Sequence, residues 1–148
     1  MEIVRAKAEH LDGIMEVERQ SFPDPWSRGG VEVYLTDPSG EILAVLEGQE
    51  VVGFAIYHVS YDESELFTIA VRADSRGRGV GRALLDAVLS GAGARGARKM
   101  YLEVRRSNTA ARTLYKSAGF TVCGERRNYY EAPREDAILM DRELEERK

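Results

Sequence analysis

Residues 66–89, LFTIAVRADSRGRGVGRALLDAVL, decide how the rest of the chain is read. Leu66 to Val71 are all apolar or β-branched and read as a buried strand, while Ala83, Leu84, Ala87 and Val88 recur at helical spacing. Between them lies a loop rich in glycine and arginine. A glycine loop that runs straight into a helix leaves backbone N–H groups unpaired and aimed outward, with the positive end of the helix dipole behind them. Such a bend is an anion socket, most naturally for a phosphate. The plainer alternative is a flexible strand-to-helix turn that carries arginines.

The glycine spacing narrows the choice. A dinucleotide fingerprint needs G-x-G-x-x-G, but Arg82 and Leu84 stand where the last glycine would fall after Gly77, Gly79 and Gly81. A nucleoside-triphosphate loop is excluded as well, because no Lys-Ser or Lys-Thr pair follows the glycines. What remains is Arg76-x-x-Gly79-x-Gly81. The strand, this loop and the helix together resemble the acetyl-CoA motif of GNAT-type N-acetyltransferases. That resemblance implies that the loop Arg76, Gly77, Arg78, Gly79, Val80, Gly81 and Arg82 holds the cofactor pyrophosphate. It also implies that the backbone of Ile69, Ala70 and Val71 pairs with the pantetheine amides as a missing neighbour strand would, which requires two adjacent strands to splay. The implied fold is α/β (α+β), a mixed central sheet of about six to seven strands flanked by about four helices.

Length and composition agree with such a domain. A chain of 148 residues is expected to form one domain, residues 1–148, burying roughly two thirds of its unfolded surface. Hydrophobic content of 43% and charged content of 31% are ordinary for a globular protein. No apolar run approaches the ~20 residues of a membrane span, and MEIVRAKAEH lacks the layout of a signal peptide, so a cytoplasmic protein without a membrane partner is expected. The net charge of −4 argues against nucleic acid as the main partner, although a local basic patch can still meet a phosphate-bearing ligand. Cys123 is the single cysteine, which excludes an internal disulfide and a cysteine-based zinc cluster. With only His10 and His58 besides, no metal is expected. Cys123 lies in the strand-like run Phe120 to Cys123 and reads as a small buried hydrophobe.

In chain order, Ile3 and Val4 read as a first strand, and Leu11, Ile14, Met15 and Phe22 mark the apolar face of a helix over residues 8–22. Pro23 and Pro25 make FPDPW a loop, which covers a core edge or lines a substrate groove. Ser27 caps a short helix ending near Leu35. Residues 41–47 and 51–60 form a hairpin, and residues 61–65 an acidic turn before the strand described above. Gly91, Gly93 and Gly96 are expected to stop the glycine-loop helix. Met100 to Arg105 alternates, with Met100, Leu102 and Val104 on one face and Tyr101, Glu103 and Arg105 on the other. A helix follows, capped by Ser107 or Asn108, packing Ala110, Ala111 and Leu114 inward and ending at Gly119. Residues 120–123 and 137–140 are the last strands, RRNYYEAPRED the loop between them, and DRELEERK a solvated charge run.

Asn108 and Tyr115 are seven residues apart, which at ~100° per residue returns within ~20° of the same helix face. Taken alone they are a cap and a half-buried aromatic. In the GNAT pattern an Asn at this helix start contacts the cofactor and a Tyr two turns on lies near the thioester sulfur, and both positions match in SNTAARTLYKSAGF. Glu103 stands near the end of a strand just before that helix, where a carboxylate can take a proton from an attacking amine directly or through one water. The plainer alternative for it is an ion pair with Arg105 or another arginine. The phrases LEVR-SN-A, LY-S-GF, RRNYY and EDAI-M, with FP-PW upstream, are similar to the GNAT branch that acetylates the N-terminus of a small-subunit ribosomal protein. In that branch the matching Glu is the base and the matching Tyr the acid, and the acceptor is a protein N-terminus. The likeness is weakest over residues 1–19 and at the tail, which carry no functional inference.

Reference pKa values favour that acceptor. An α-amine near 8 is about one part in ten neutral at pH 7, against about one in two or three thousand for a lysine. A carboxylate near 4.3 needs burial or a water relay to serve as base. A tyrosine near 10 lies above a thiol near 8.5, so full proton transfer to the thiolate is uphill by roughly 2 kcal/mol, and a hydrogen bond that strengthens as charge develops is the sounder role. No acyl-enzyme is expected, because Cys123 has no histidine partner in view. The acceptor walls are expected to be the Trp26 loop and the loop bearing Tyr129 and Tyr130, with Asp24, Asp62, Glu63 and Glu65 available to a basic peptide. Two rival functions stay open: a GNAT enzyme for small amines or internal lysines, and a CoA-binding module without chemistry.

Overall fold

Each strand expected from the sequence is present in the computed structural model, which describes residues 1–144. Strand β1 (Glu2–Arg5) leads through a single 3-10 turn into helix α1 (Leu11–Ser21) and the short helix α2 (Arg28–Glu32). The hairpin β2 (Gly40–Glu47) and β3 (Glu50–Ser60) is followed by β4 (Glu63–Val71), helix α3 (Val80–Ala94) and β5 (Lys99–Arg105). Helix α4 (Thr109–Ser117) and the hairpin β6 (Thr121–Tyr130) and β7 (Glu135–Glu143) complete the order. The seven strands form one mixed sheet, β1-β2-β3-β4-β5-β7-β6, in which only the β4–β5 pair is parallel.

Strand β3 is buried on both faces because it lies under helices on both. Its Phe54 and Ile56 pack with Leu11, Ile14 and Val17 of α1, whereas Ala55 and Tyr57 pack with Leu84, Leu85 and Val88 of α3. Tyr115 of α4 and Phe120 join the α3 side, their rings 5.9 Å apart. Side-chain caps start two helices, the Ser27 hydroxyl accepting from Gly30 N–H at 3.0 Å and Asn108 Oδ1 from Ala111 N–H at 3.1 Å.

Several local expectations need correction. The acidic turn is only Tyr61–Asp62; β4 already starts at Glu63, because Ser64 is buried and its hydroxyl donates to Lys99 O at 2.8 Å. Gly91 and Gly93 lie inside α3, and the stop falls at Gly96 with φ +95°. Gly91 is needed where it is because a Cβ there would strike the Tyr57 hydroxyl. Residues 126–130 are strand rather than loop; a register shift with Asn128 at φ 53° breaks the alternation that would have revealed it. Cys123 is exposed, since β6 is the sheet edge and its first residues are covered on neither face. Ala110 is exposed beside the glycine-loop cleft, leaving Ala111 and Leu114 to pack inward. Within DRELEERK, β7 runs to Glu143 and Leu144 is buried, its N–H donating to Arg98 O at 2.9 Å; the remainder lies outside the described residues.

Candidate active site

The site begins where two strands part. Strand β4 pairs with β3 along its length, but its parallel pairing with β5 runs only from Glu63↔Lys99 to Leu66↔Leu102. In the β3–β4 register Tyr57 faces Leu66 and Ile56 faces Thr68, which leaves Phe67 as an extra residue at the point of departure. A bulge bends a strand and increases its twist. Meanwhile β5 keeps its partner β7 through Glu103↔Leu139 and Arg105↔Ala137. The residues from Phe67 to Val71 therefore turn a backbone edge that no strand pairs toward a wedge between β4 and β5.

One side of the wedge is a cleft of about 370 Å³. Ile69, Ala70 and Val71 form one wall, Asn108, Ala111 and Leu114 the other, and Arg76, Gly77, Gly79, Val80 and Gly81 the end. Gly77 and Gly79 adopt φ +77° and +81°, a region that L side chains resist, and a Cβ on either would meet nothing within 4 Å. At Gly81 a Cβ would stand 3.5 Å from Leu114 and 3.7 Å from Val71, intruding on the cleft. The first-turn N–H groups of α3 have no partner within the helix and open at this end. Arg76 Nε donates to Val71 O at 3.0 Å and lines the cleft. Arg78 and Arg82 stand outside its lining, Arg78 paired with Glu47 and Arg82 bonded to Asp86 at 3.0 Å and Ser117 O at 3.2 Å. Backbone amides, unfilled space above the glycines and one adjoining guanidinium suit a pyrophosphate, and the free β4 edge suits an amide-bearing arm.

The other side is an inner cavity of about 160 Å³, which shares Phe22, Ile69, Asn108 and Ala111 with the cleft. Glu103 and Tyr115 both line it, and Asn108 lies on the same helix face as Tyr115. Glu103 Oε1 lies 3.2 Å from Arg126 Nε, and the Glu103 carboxylate, through a hydrogen bond and its charge, raises the pKa of the Tyr129 hydroxyl. The arginine partner of Glu103 is thus Arg126, not Arg105. Tyr115 is buried, and burial first, then the neighbouring Tyr130, pushes its phenol above the ordinary value. Burial, followed by the charge of Glu103, pushes Tyr130 up to about 12. Arg105 lies 4.5 Å above the Tyr130 ring and 3.3 Å from both Asp24 and Glu135. Trp26, Phe67, Glu103 and Tyr130 also line an outer cavity reached by Tyr129 and Glu65, so the two cavities adjoin. Asp24 and Glu65 sit on this path, whereas Asp62 and Glu63 line a separate depression with Arg98 and Lys99.

Two site residues escaped the sequence. Glu18 is only 1% exposed and lines the inner cavity, although residues 1–19 carried no functional expectation. Its signal was present: residues 11, 14 and 18 fall at i, i+3 and i+7, so a carboxylate occupies the apolar stripe of α1. Thr68, also buried, lines the same cavity from within the run that reads as plain strand.

Comparison with known proteins identifies the family of the chain. The family model for the acetyltransferase (GNAT) family matches residues 11–120. The [ribosomal protein bS18]-alanine N-acetyltransferase of Escherichia coli K12 is 37% identical over 134 residues, covering 88% of each chain. The protein of that name from Haemophilus influenzae is 35% identical over 146 residues, covering 93% of this chain and 95% of its own. The crystal structure of the ribosomal-protein-S18-alanine N-acetyltransferase from Escherichia coli superposes with a TM-score of 0.91 at 34% identity, covering 99% of this chain and 96% of that one.

Proposed function

The chain belongs to the GNAT family of acetyl-CoA-dependent N-acetyltransferases, and on that premise we propose that it acetylates the N-terminal amine of a protein, the N-terminal alanine of ribosomal protein bS18. The observation that carries this reading is the wedge: the parting of β4 and β5 joins the glycine-loop cleft to the cavity holding Glu103 and Tyr115 through shared walls. The seven strands belong to one sheet, which supports reading the chain as a single domain, and a cytoplasmic location is part of the same proposal.

Acetyl-CoA supplies an activated acetyl group; the chain's own residues do the rest. The amides of residues 77–82 and Arg76 hold the pyrophosphate, and the edge from Ile69 to Val71 orients the pantetheine arm as an added strand. Asn108 spends its Oδ1 on the Ala111 N–H, which leaves its side-chain NH2 as the donor available to the cofactor. Glu103 takes the proton that the attacking amine must lose, directly or through one water. Because about a tenth of α-amines are already neutral at pH 7, only a weak base is needed, and the ion pair with Arg126 holds the Glu103 carboxylate in place. Tyr115 is held protonated by burial and donates a hydrogen bond to the sulfur as charge develops there. Trp26, Tyr129 and Tyr130 are the walls that receive the acceptor's first residues.

The test is acetyl transfer to matched peptides read by mass spectrometry, one with a free N-terminal alanine and one N-terminally blocked with an internal lysine. Acetylation confined to the free α-amine is expected. Equal labelling of the lysine would favour the rival acceptor class, and binding of CoA without any transfer would favour a module that does no chemistry.

A further inference from the structure

Three carboxylates line the inner cavity, and two of them are already paired: Glu103 with Arg126 at 3.2 Å and Asp24 with Arg105 at 3.3 Å. Glu18 is different. Its Oε2 accepts the Trp26 N–H at 2.9 Å, tying α1 to the loop that walls the acceptor side, but its Oε1 is buried with no hydrogen-bond partner among the described residues. The Thr68 hydroxyl, on the facing strand edge, is likewise buried and unpartnered among those residues, and it lines the same cavity. Buried polar atoms are normally satisfied, and a carboxylate oxygen left bare in an apolar setting demands a donor. Two such acceptor atoms in one small cavity that adjoins the cofactor cleft describe a socket for a group with several N–H bonds. Burial raises the Glu18 pKa, the Trp26 N–H opposes that rise and Asp24 adds to it, so a cation or an N–H donor arriving at Oε1 offsets the cost that burial places on the charged form.

We infer that Glu18 receives the acceptor's N-terminal amine: Oε1 accepts one of its N–H bonds, with the Thr68 hydroxyl oxygen as the second acceptor, while Oε2 keeps the Trp26 wall in place. This rests on the N-terminal acetylation reading above and adds a residue to it. Glu103 removes the proton; Glu18 fixes where the nitrogen sits. A single carboxylate therefore links amine binding to the position of the loop that surrounds the first residue.

Two peptides of one sequence test this, one with an N-terminal alanine and its des-amino analogue carrying a propionyl group instead, titrated calorimetrically into the CoA-loaded protein. The intact protein is expected to bind the amine peptide at least about tenfold more tightly than the analogue. Glu18→Gln, which keeps an oxygen for Trp26 but turns an NH2 toward the amine, is expected to bring that ratio to within about threefold while CoA affinity is unchanged. Thr68→Val is expected to lose a smaller share of the ratio. A ratio in Glu18→Gln equal to that of the intact protein overturns the assignment, and leaves N-terminal acetylation standing if the intact protein still transfers acetyl to the amine peptide. If the intact protein transfers none, both readings fall. Should Glu18→Gln lose CoA binding, Thr68→Val decides alone, and an unchanged ratio there overturns the assignment.

Discussion

The two sides of the wedge are built from different materials. On the glycine-loop side the contacts come from backbone: the free edge of β4, the first turn of α3 and two glycines at positive φ, with arginines turned largely onto their own neighbours. On the acceptor side they come from side chains, Glu18, Trp26, Thr68, Glu103, Tyr115 and Tyr130, contributed by six separate segments. Backbone recognition suits a ligand that is always the same, and side-chain recognition suits a choice among acceptors. The difference also predicts that damage to one side should change binding of acetyl-CoA and damage to the other should change turnover.

The sharpest test of that division is Glu103→Gln, expected to lower kcat by about a hundredfold while acetyl-CoA affinity stays within about twofold. An equal loss in both quantities would break the comparison. Tyr115→Phe follows, with at least about a tenfold loss in kcat and unaltered cofactor affinity. Because the folded-state pKa of Tyr115 is raised, the phenol keeps its proton throughout the working range, so kcat/KM should climb with pH as the acceptor amine deprotonates. A descending limb below about pH 10 would show that this phenol is not the buried donor described. On the other side, Gly79→Val forces a β-branched residue to φ +81° at a strain of about 1–3 kcal/mol, and a rise of at least about tenfold in the acetyl-CoA Kd is expected with kcat at saturation nearly intact. Gly91→Ala is the control, since it drives a methyl group against the Tyr57 hydroxyl, and neither residue lines the cleft or the inner cavity. It should cost about 1–3 kcal/mol, or roughly 2–4 °C of Tm per kcal/mol, and leave both kinetic quantities alone.

That same division explains what the sequence disclosed. The glycine loop was legible because positive φ at Gly77 and Gly79 restricts the residue type, so geometry writes itself into the chain as a motif. Asn108 and Tyr115 were legible because seven helical residues return to one face. Trp26, Tyr129 and Tyr130 were expected to share one groove, and they line one cavity with Glu103, although the backbone of the last two is strand whose alternation the register shift near Asn128 hides. Glu18 and Thr68 were missed because each is a single polar residue in a run whose pattern reports packing, and their significance lies in which cavity they face. Cys123 was misread for the same reason in reverse: a strand-like run shows that a residue pairs, not that anything covers it.

Titration of CoA into the 15N-labelled protein, followed amide by amide, tests the central claim most directly, namely that the parting of β4 from β5 is the seat of the acyl donor. The account predicts that the amides of Ile69, Val71, Gly77, Gly79, Val80, Gly81 and Arg82 shift together with one saturating curve, whereas those of the paired segment from Glu63 to Leu66 stay still. Shifts confined to another part of the sheet, or saturation with the Ile69 to Val71 edge unmoved, would contradict it.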